Sequence, residues 1–208
     1  MFYRNFILIT LLWCSFLAAQ QNEEFRATKQ FFDYQRLMLD REFRKKYDKE
    51  PADRKPAIRK DYTEFMQKLD SIENTAYINT LIKVKNREDL ARIQGEQLPN
   101  LSLKNPDRQS LDYEAQYPGG LGILRTQIAD LFYHDAILPE AKTFKTQLVF
   151  VVDRDGSITE VQAEGDHSTF NRQAEIAMYL LPNKFTPAKL NGTPVRYRFR
   201  LPISMDLE

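Results

Sequence analysis

The feature that most constrains the fold of this chain is the stretch from Thr146 to Thr159, Thr-Gln-Leu-Val-Phe-Val-Val-Asp-Arg-Asp-Gly-Ser-Ile-Thr. An apolar, β-branched run meets Asp153-Arg154-Asp155-Gly156, and a second β-prone run follows. Asp-Gly between two such runs predicts a hairpin, because glycine takes a positive φ at little cost. Asp153 and Gly156 are therefore read as structural turn residues. Pro118-Gly119-Gly120 marks the entry to the region around this hairpin, and Leu201-Pro202-Ile203-Ser204 its exit.

The pattern on either side of the hairpin predicts an α+β unit. Leu121, Leu124, Ile128, Leu131 and Phe132 define one helix face, ending near His134. Residues 136–142 read as a loop, then strands over about 144–152 and 157–163. A second helix spans 169–181, with Ser168 as its cap, a narrow apolar face at Ala174, Ala177, Met178 and Leu181, and Pro182 as its stop. Asn191-Gly192 supplies another structural turn, and Val195 to Ile203 a third strand. Two helices would cover one face of a three-stranded antiparallel sheet. In the third strand Val195, Tyr197, Phe199 and Leu201 alternate with Arg196, Arg198 and Arg200, a half-buried strand with a basic outer face. That face is either a solvated guard against edge aggregation or a surface for an incoming peptide.

Tyr117-Pro118-Gly119-Gly120, the Val-Val-Asp-Arg-Asp-Gly-Ser-Ile hairpin, Phe185-Thr186-Pro187-Ala188, Asn191-Gly192-Thr193-Pro194-Val195 and Arg200-Leu201-Pro202-Ile203 follow one another at compact spacing. This ordered set resembles the C-terminal domain of TonB-type energy transducers, in the form common in Bacteroidetes-like bacteria. The resemblance covers roughly residues 115–205. It implies a non-enzymatic module, without a cofactor, that grips an extended segment of an outer-membrane transporter by strand addition while an inner-membrane motor drives it. It assigns partner contact to the third strand: Arg196, Tyr197, Arg198, Phe199 and Arg200. The chain departs from the family in lacking a long proline-rich spacer and a convincing retained anchor. An envelope adaptor built on the same scaffold, without energy transduction, is the alternative.

Upstream, Arg4 and the apolar run Phe6–Leu17, followed by Ala18-Ala19, fit a secretory signal peptide over residues 1–19. The run is short for an uncleaved anchor, since a span needs about 20 apolar residues. The expected location is the periplasm or cell envelope. Cys14, the only cysteine, lies in this segment after Trp13, which is too large for a lipoprotein site. A mature chain would have no thiol for a disulfide or thiolate metal site.

Residues 20–94 form a helical region. One helix runs over 22–48, with Phe25, Phe32, Leu39, Phe43 and Tyr47 near one face and Phe31, Tyr34, Leu37 and Met38 widening it. Pro51 and Pro56 interrupt it. A second carries the stripe Ile58, Tyr62, Phe65, Leu69, Ile72 and Ala76. In 77–84 Ile78, Thr80, Ile82 and Val84 alternate like a strand, but the segment is read as prolonging the helix, before a short helix to Ile93 capped by Asn86. The two stripes are expected to bury each other in a helical hairpin, with self-association through residues 22–85 as the sharper alternative. Residues 41–60 carry nine Lys or Arg against four Asp or Glu. Contact with anionic lipid or cell-wall polymer competes with a merely solvated turn, and the interleaved acids favour the latter. Residues 95–116 read as a linker, and 117–205 as the TonB-like domain.

A formal charge of +1 argues against a nucleic-acid binder. His134 and His167 stand outside any metal-ligand spacing, so no metal site is expected. A calcium loop built around Gly156 would put Val151 and Gln162 at its first and last ligand positions, where acids are needed. Nucleophile-elbow, phosphate-loop and dinucleotide motifs are absent, so no enzymatic activity is expected.

Overall fold

The computed structural model describes residues 22–94, 108–137 and 143–206. The signal-peptide expectation for residues 1–19 lies outside them, as does most of the linker. The chain divides into two compact units, a helical one within residues 22–96 and a mixed one within 97–208.

In the helical unit α1 spans Glu23–Tyr47 and α2 spans Lys55–Ile93. Asn22 caps α1, its Oδ1 accepting from the Glu24 amide at 3.1 Å. Glu23 and Glu24 in the first turn and Arg44, Lys45 and Lys46 in the last complement the helix dipole. The helices pair antiparallel: Phe25 stacks on Tyr77, Phe43 stacks on Tyr62 at 4.0 Å between centroids, and Glu24 pairs with Arg87 at 2.6 Å. Phe25, Phe32, Leu69, Leu81 and Val84 are buried between them.

Two expectations are corrected here. The helix continues unbroken past Asn86, because Tyr77, Thr80, Leu81 and Val84 prolong the buried stripe. The stripe itself also turns: Phe65 and Ile72 are at least half exposed, while Glu73 and Thr80 lie inside. Arg36 crosses from α1 to pair with Glu73 at 2.5 Å and with Asp70, and the Thr80 hydroxyl shares a hydrogen bond with Thr28 of α1 at 3.1 Å. Glu73 also accepts from the Tyr77 hydroxyl at 2.8 Å, and burial together with this carboxylate raises the Tyr77 pKa.

The second unit is mixed α+β: α3 (Gly120–Asp130), β1 (Thr143–Val152), β2 (Ile158–Glu164), α4 (Ser168–Leu180), β3 (Ala188–Leu190), β4 (Thr193–Val195) and β5 (Tyr197–Asp206). A three-stranded antiparallel sheet has the order β2-β1-β5, and β3 and β4 form a separate two-stranded hairpin. β1 pairs with β5 without interruption from Thr143 opposite Asp206 to Val152 opposite Tyr197. Helix α4 packs on β1 and β2, and α3 packs on α4. The core joins Leu148, Phe150 and Leu201 of the sheet to Phe170, Ala174, Ala177 and Met178 of α4. Phe150 stacks on Phe199, with ring centroids 5.5 Å apart.

The sequence pattern placed the Asn191-Gly192 turn directly before the third strand. Instead these residues, both with positive φ, close the β3-β4 hairpin, and Val195 belongs to β4. The cap of α4 is His167 rather than Ser168: His167 Nδ1 accepts from the Phe170 amide at 3.1 Å. The C-terminal end of the expected linker is packed. Gln116 and Thr186 exchange two backbone hydrogen bonds, Asp112 donates to Lys189 at 2.9 Å, and Ala115 and Tyr117 are buried.

The Asp153–Gly156 turn forms as expected. The Gly156 amide donates to the Asp153 carbonyl, and the Asp153 amide donates to that of Ser157. Gly156 has φ +83, and its carbonyl accepts from the Phe185 amide at 3.0 Å. A Cβ there would lie 2.0 Å from the Phe185 carbonyl oxygen. Gly156→Val therefore combines backbone strain with a clash against main chain and should cost about 3 kcal/mol or more in urea unfolding. Asp153→Ala removes side-chain interactions only and should cost about 1 kcal/mol. Equal losses would reject this account of the turn.

Candidate functional site

A three-stranded open sheet has two edges, and an unpaired edge is either covered or available. Along β2, the Ala163 amide donates to Glu175 Oε1 at 2.9 Å, and the Val161 amide to the Tyr179 hydroxyl at 3.4 Å. Both acceptors come from α4, so helix side chains satisfy two amides of the β2 edge. Glu175 and Tyr179 were not anticipated in a helix read as having only a narrow apolar face. Their burial follows from this edge-capping role.

β5 pairs with β1 alone. Pro202 has no amide hydrogen, so its pair with Gln147 must be a non-hydrogen-bonded one. Its carbonyl faces away from β1 and accepts from Arg125 Nε of α3 at 3.5 Å. Hydrogen-bonded and non-hydrogen-bonded pairs alternate along an antiparallel ladder. The amides and carbonyls of Arg198 and Arg200 therefore also point outward from the sheet.

Beside this edge lies a cleft of about 460 Å³, lined by residues 114–121 with Thr186 and Phe199. Tyr117 fixes its wall. Its hydroxyl donates to Gln127 Oε1 at 2.5 Å and its ring meets Phe185 edge-on at 5.0 Å. Gly119 and Gly120, each at φ +81, turn the chain from that wall into α3.

The side chains assigned to partner contact separate into different environments. Tyr197 and Phe199 are half-buried and touch at 5.4 Å, and Phe199 reaches the cleft. Arg200 is exposed. Arg196 corrects the expectation of a solvated basic face: it is buried, with Nη2 2.9 Å from Glu160 Oε1 and Nε 3.4 Å from Asp153 Oδ2. Arg198 joins through Glu160 Oε2 at 3.4 Å. The reason is a β-bulge. The register of β2 on β1 shifts between Val149 and Val151, and Glu160 there adopts φ +53. Turned by the bulge, Glu160 reaches across β1 to the arginines of β4-β5. Val151 lies opposite Arg198 and is fully buried on that face.

The turn at Asp153–Gly156 is braced from outside. Partial burial opposes it, but hydrogen bonds from Lys184 and Ser157 hold the Asp155 carboxyl at about 2. Among the described residues no group of three or more His, Cys, Asp or Glu side chains could hold a metal ion, and no helix is long and apolar enough to cross a membrane. Comparison with protein-family models, curated proteins and solved structures finds no match to this chain.

The arginines should therefore respond differently to mutation. Removing Arg196 takes a buried cation from Glu160, which keeps Arg198, and from Asp153, and should cost about 2 kcal/mol in urea unfolding. Arg200→Ser should stay within about 0.5 kcal/mol, as exposed positions do. Equal effects would show that the Glu160 cluster is not structural.

Proposed function

We propose that this protein is a non-enzymatic, envelope-located binding module whose mixed α+β unit takes up an extended protein segment as an added strand along β5. The observation that carries the reading is the asymmetry of the sheet edges. α4 side chains accept from two amides of β2, while Arg200 of β5 directs its main-chain donor and acceptor outward. Main-chain bonds would supply affinity, and the cleft at residues 114–121 and Phe199 would receive a side chain of the added segment. The resemblance of residues 115–205 to TonB-type C-terminal domains makes the terminal segment of an outer-membrane TonB-dependent transporter the partner to test. It would place the protein in energy-coupled transport, with inner-membrane motor proteins as further partners.

Because the Arg200 amide points away from β1, Arg200→Pro removes an outward donor without removing a sheet hydrogen bond. Pro202 shows that proline is accommodated in this strand. Binding of a fluorescent transporter-segment peptide should weaken at least about tenfold in this variant. The unfolding midpoint should change little, and in the unmutated protein the peptide should shift the amide resonances of Arg198 and Arg200. Undiminished binding by Arg200→Pro, or shifts confined to β2, would reject strand addition at β5.

A self-associating adaptor is the second reading, favoured by one observation. Phe31, Tyr34 and Leu37 on α1 and Phe65, Ile72 and Ile82 on α2 are each at least half exposed. Where such side chains adjoin, they mark an interaction surface. Sedimentation equilibrium at micromolar concentration should then show a dimer that Phe31→Ser with Phe65→Ser dissociates. A monomeric unmutated protein would remove this reading.

A further inference from the structure

The tip of the helical hairpin carries a charge arrangement that the binding edge does not involve. Lys55 Nζ lies 5.0 Å from the centroid of the Tyr47 ring, and Arg59 Cζ lies 5.5 Å from it. Arg59 Nη2 donates to the Tyr47 hydroxyl at 2.7 Å, which orients the guanidinium. Lys55 and Arg59 thus converge on one ring from successive turns of α2. Like charges at this spacing repel.

Three other cations near the tip have counter-charges: Arg44 meets Asp40 at 2.9 Å, Lys45 meets Glu42 at 3.6 Å, and Lys60 meets Glu64 at 3.7 Å. Lys55 and Arg59 differ from the remaining tip cations in sharing one aromatic ring beside a cleft. No carboxylate among the described residues lies within ion-pair distance of Lys55 or Arg59. The first turn of α2 contains no acidic residue. Between the two cations and Tyr47 opens a cleft of about 610 Å³, with Pro56, Thr63 and Glu64 on its walls.

We propose that this cleft binds a phosphate-bearing anion through Lys55 and Arg59. Two unneutralised cations call for more than a single negative charge, and a phosphate monoester carries about −1.5 to −2 at neutral pH. The guanidinium offers its remaining N–H groups in a planar fork suited to phosphate oxygens, and the ammonium adds a mobile point charge. Tyr47 holds the fork in place and provides an apolar floor. The phosphate can come from a soluble ester or from a lipid headgroup.

The test uses the isotopically labelled full chain with two probes: glycerol 3-phosphate, and phosphatidylcholine vesicles with or without phosphatidic acid. Lys55→Gln with Arg59→Gln is compared with Lys68→Gln with Lys83→Gln, which removes equal charge elsewhere on α2. Saturable shifts of the Lys55 and Arg59 amides with glycerol 3-phosphate would assign the site to soluble esters. Binding only to vesicles containing phosphatidic acid would assign it to a membrane surface. In either case the first pair should weaken binding about tenfold or more, and the control pair less than about twofold. Tyr47→Phe, which keeps the ring but frees the guanidinium, should fall between them. If neither probe binds, or if both pairs weaken binding equally, the cations are only a diffuse basic surface and the proposal is overturned.

Discussion

The α+β unit depends on β1 being hydrogen-bonded on both sides. Once β2 and β5 flank it, its polar main chain is satisfied, and its alternating side chains face the α4 side and the opposite face. Desolvated backbone groups must find partners. A buried central strand thus moves all unmet donors and acceptors to the two outer strands. The rest of the unit answers the question of where those groups go.

The two edges receive different answers. On β2, α4 places Glu175 and Tyr179 against main-chain amides, although burying a carboxylate is costly unless it is hydrogen-bonded. On β5 a long hydrogen bond runs from Arg125 of α3 to the Pro202 carbonyl. Proline deters pairing at that point, and before it the Arg200 main-chain groups point away from β1. Glu160 fits this division. A residue at φ +53 carries strain, and the two arginines it engages offset that strain while tying β2 to the strands beyond β1.

What could be read from the sequence follows from the range of the interactions involved. The β1-β2 hairpin, the turn at Gly156 and the helix of residues 22–48 rest on neighbours a few positions apart, and local pattern reports those. The order α3-β1-β2-α4-β5 was likewise legible, but the β3-β4 hairpin between α4 and β5 was not. Arg196 was not, because alternation assigns it to the outer face and nothing local announces a bulge in a different strand. Phe65 and Ile72 were assigned to the hairpin interior because they continue an apolar spacing. Arg36 and Thr28, far away in sequence, engage Glu73 and Thr80 inside instead. Tyr117 was noted as part of a motif, but its role as a cleft wall depends on contacts with Gln127 and Phe185.

The helical unit obeys the same accounting with charge in place of main-chain bonds. Along its length opposite charges meet across the interface, Glu24 with Arg87 and Arg36 with Asp70 and Glu73. At the tip the local excess of cations is not fully answered. Lys55 and Arg59 rest on a tyrosine ring, and cation–π attraction contributes only about 0.5–1 kcal/mol at an exposed site. That is comparable to the repulsion it must offset between neighbouring like charges. The arrangement is therefore tolerated by the fold without being required by it. A hairpin that needed only solubility there could place a glutamate one turn from Lys55, as α2 does with Glu64 beside Lys60.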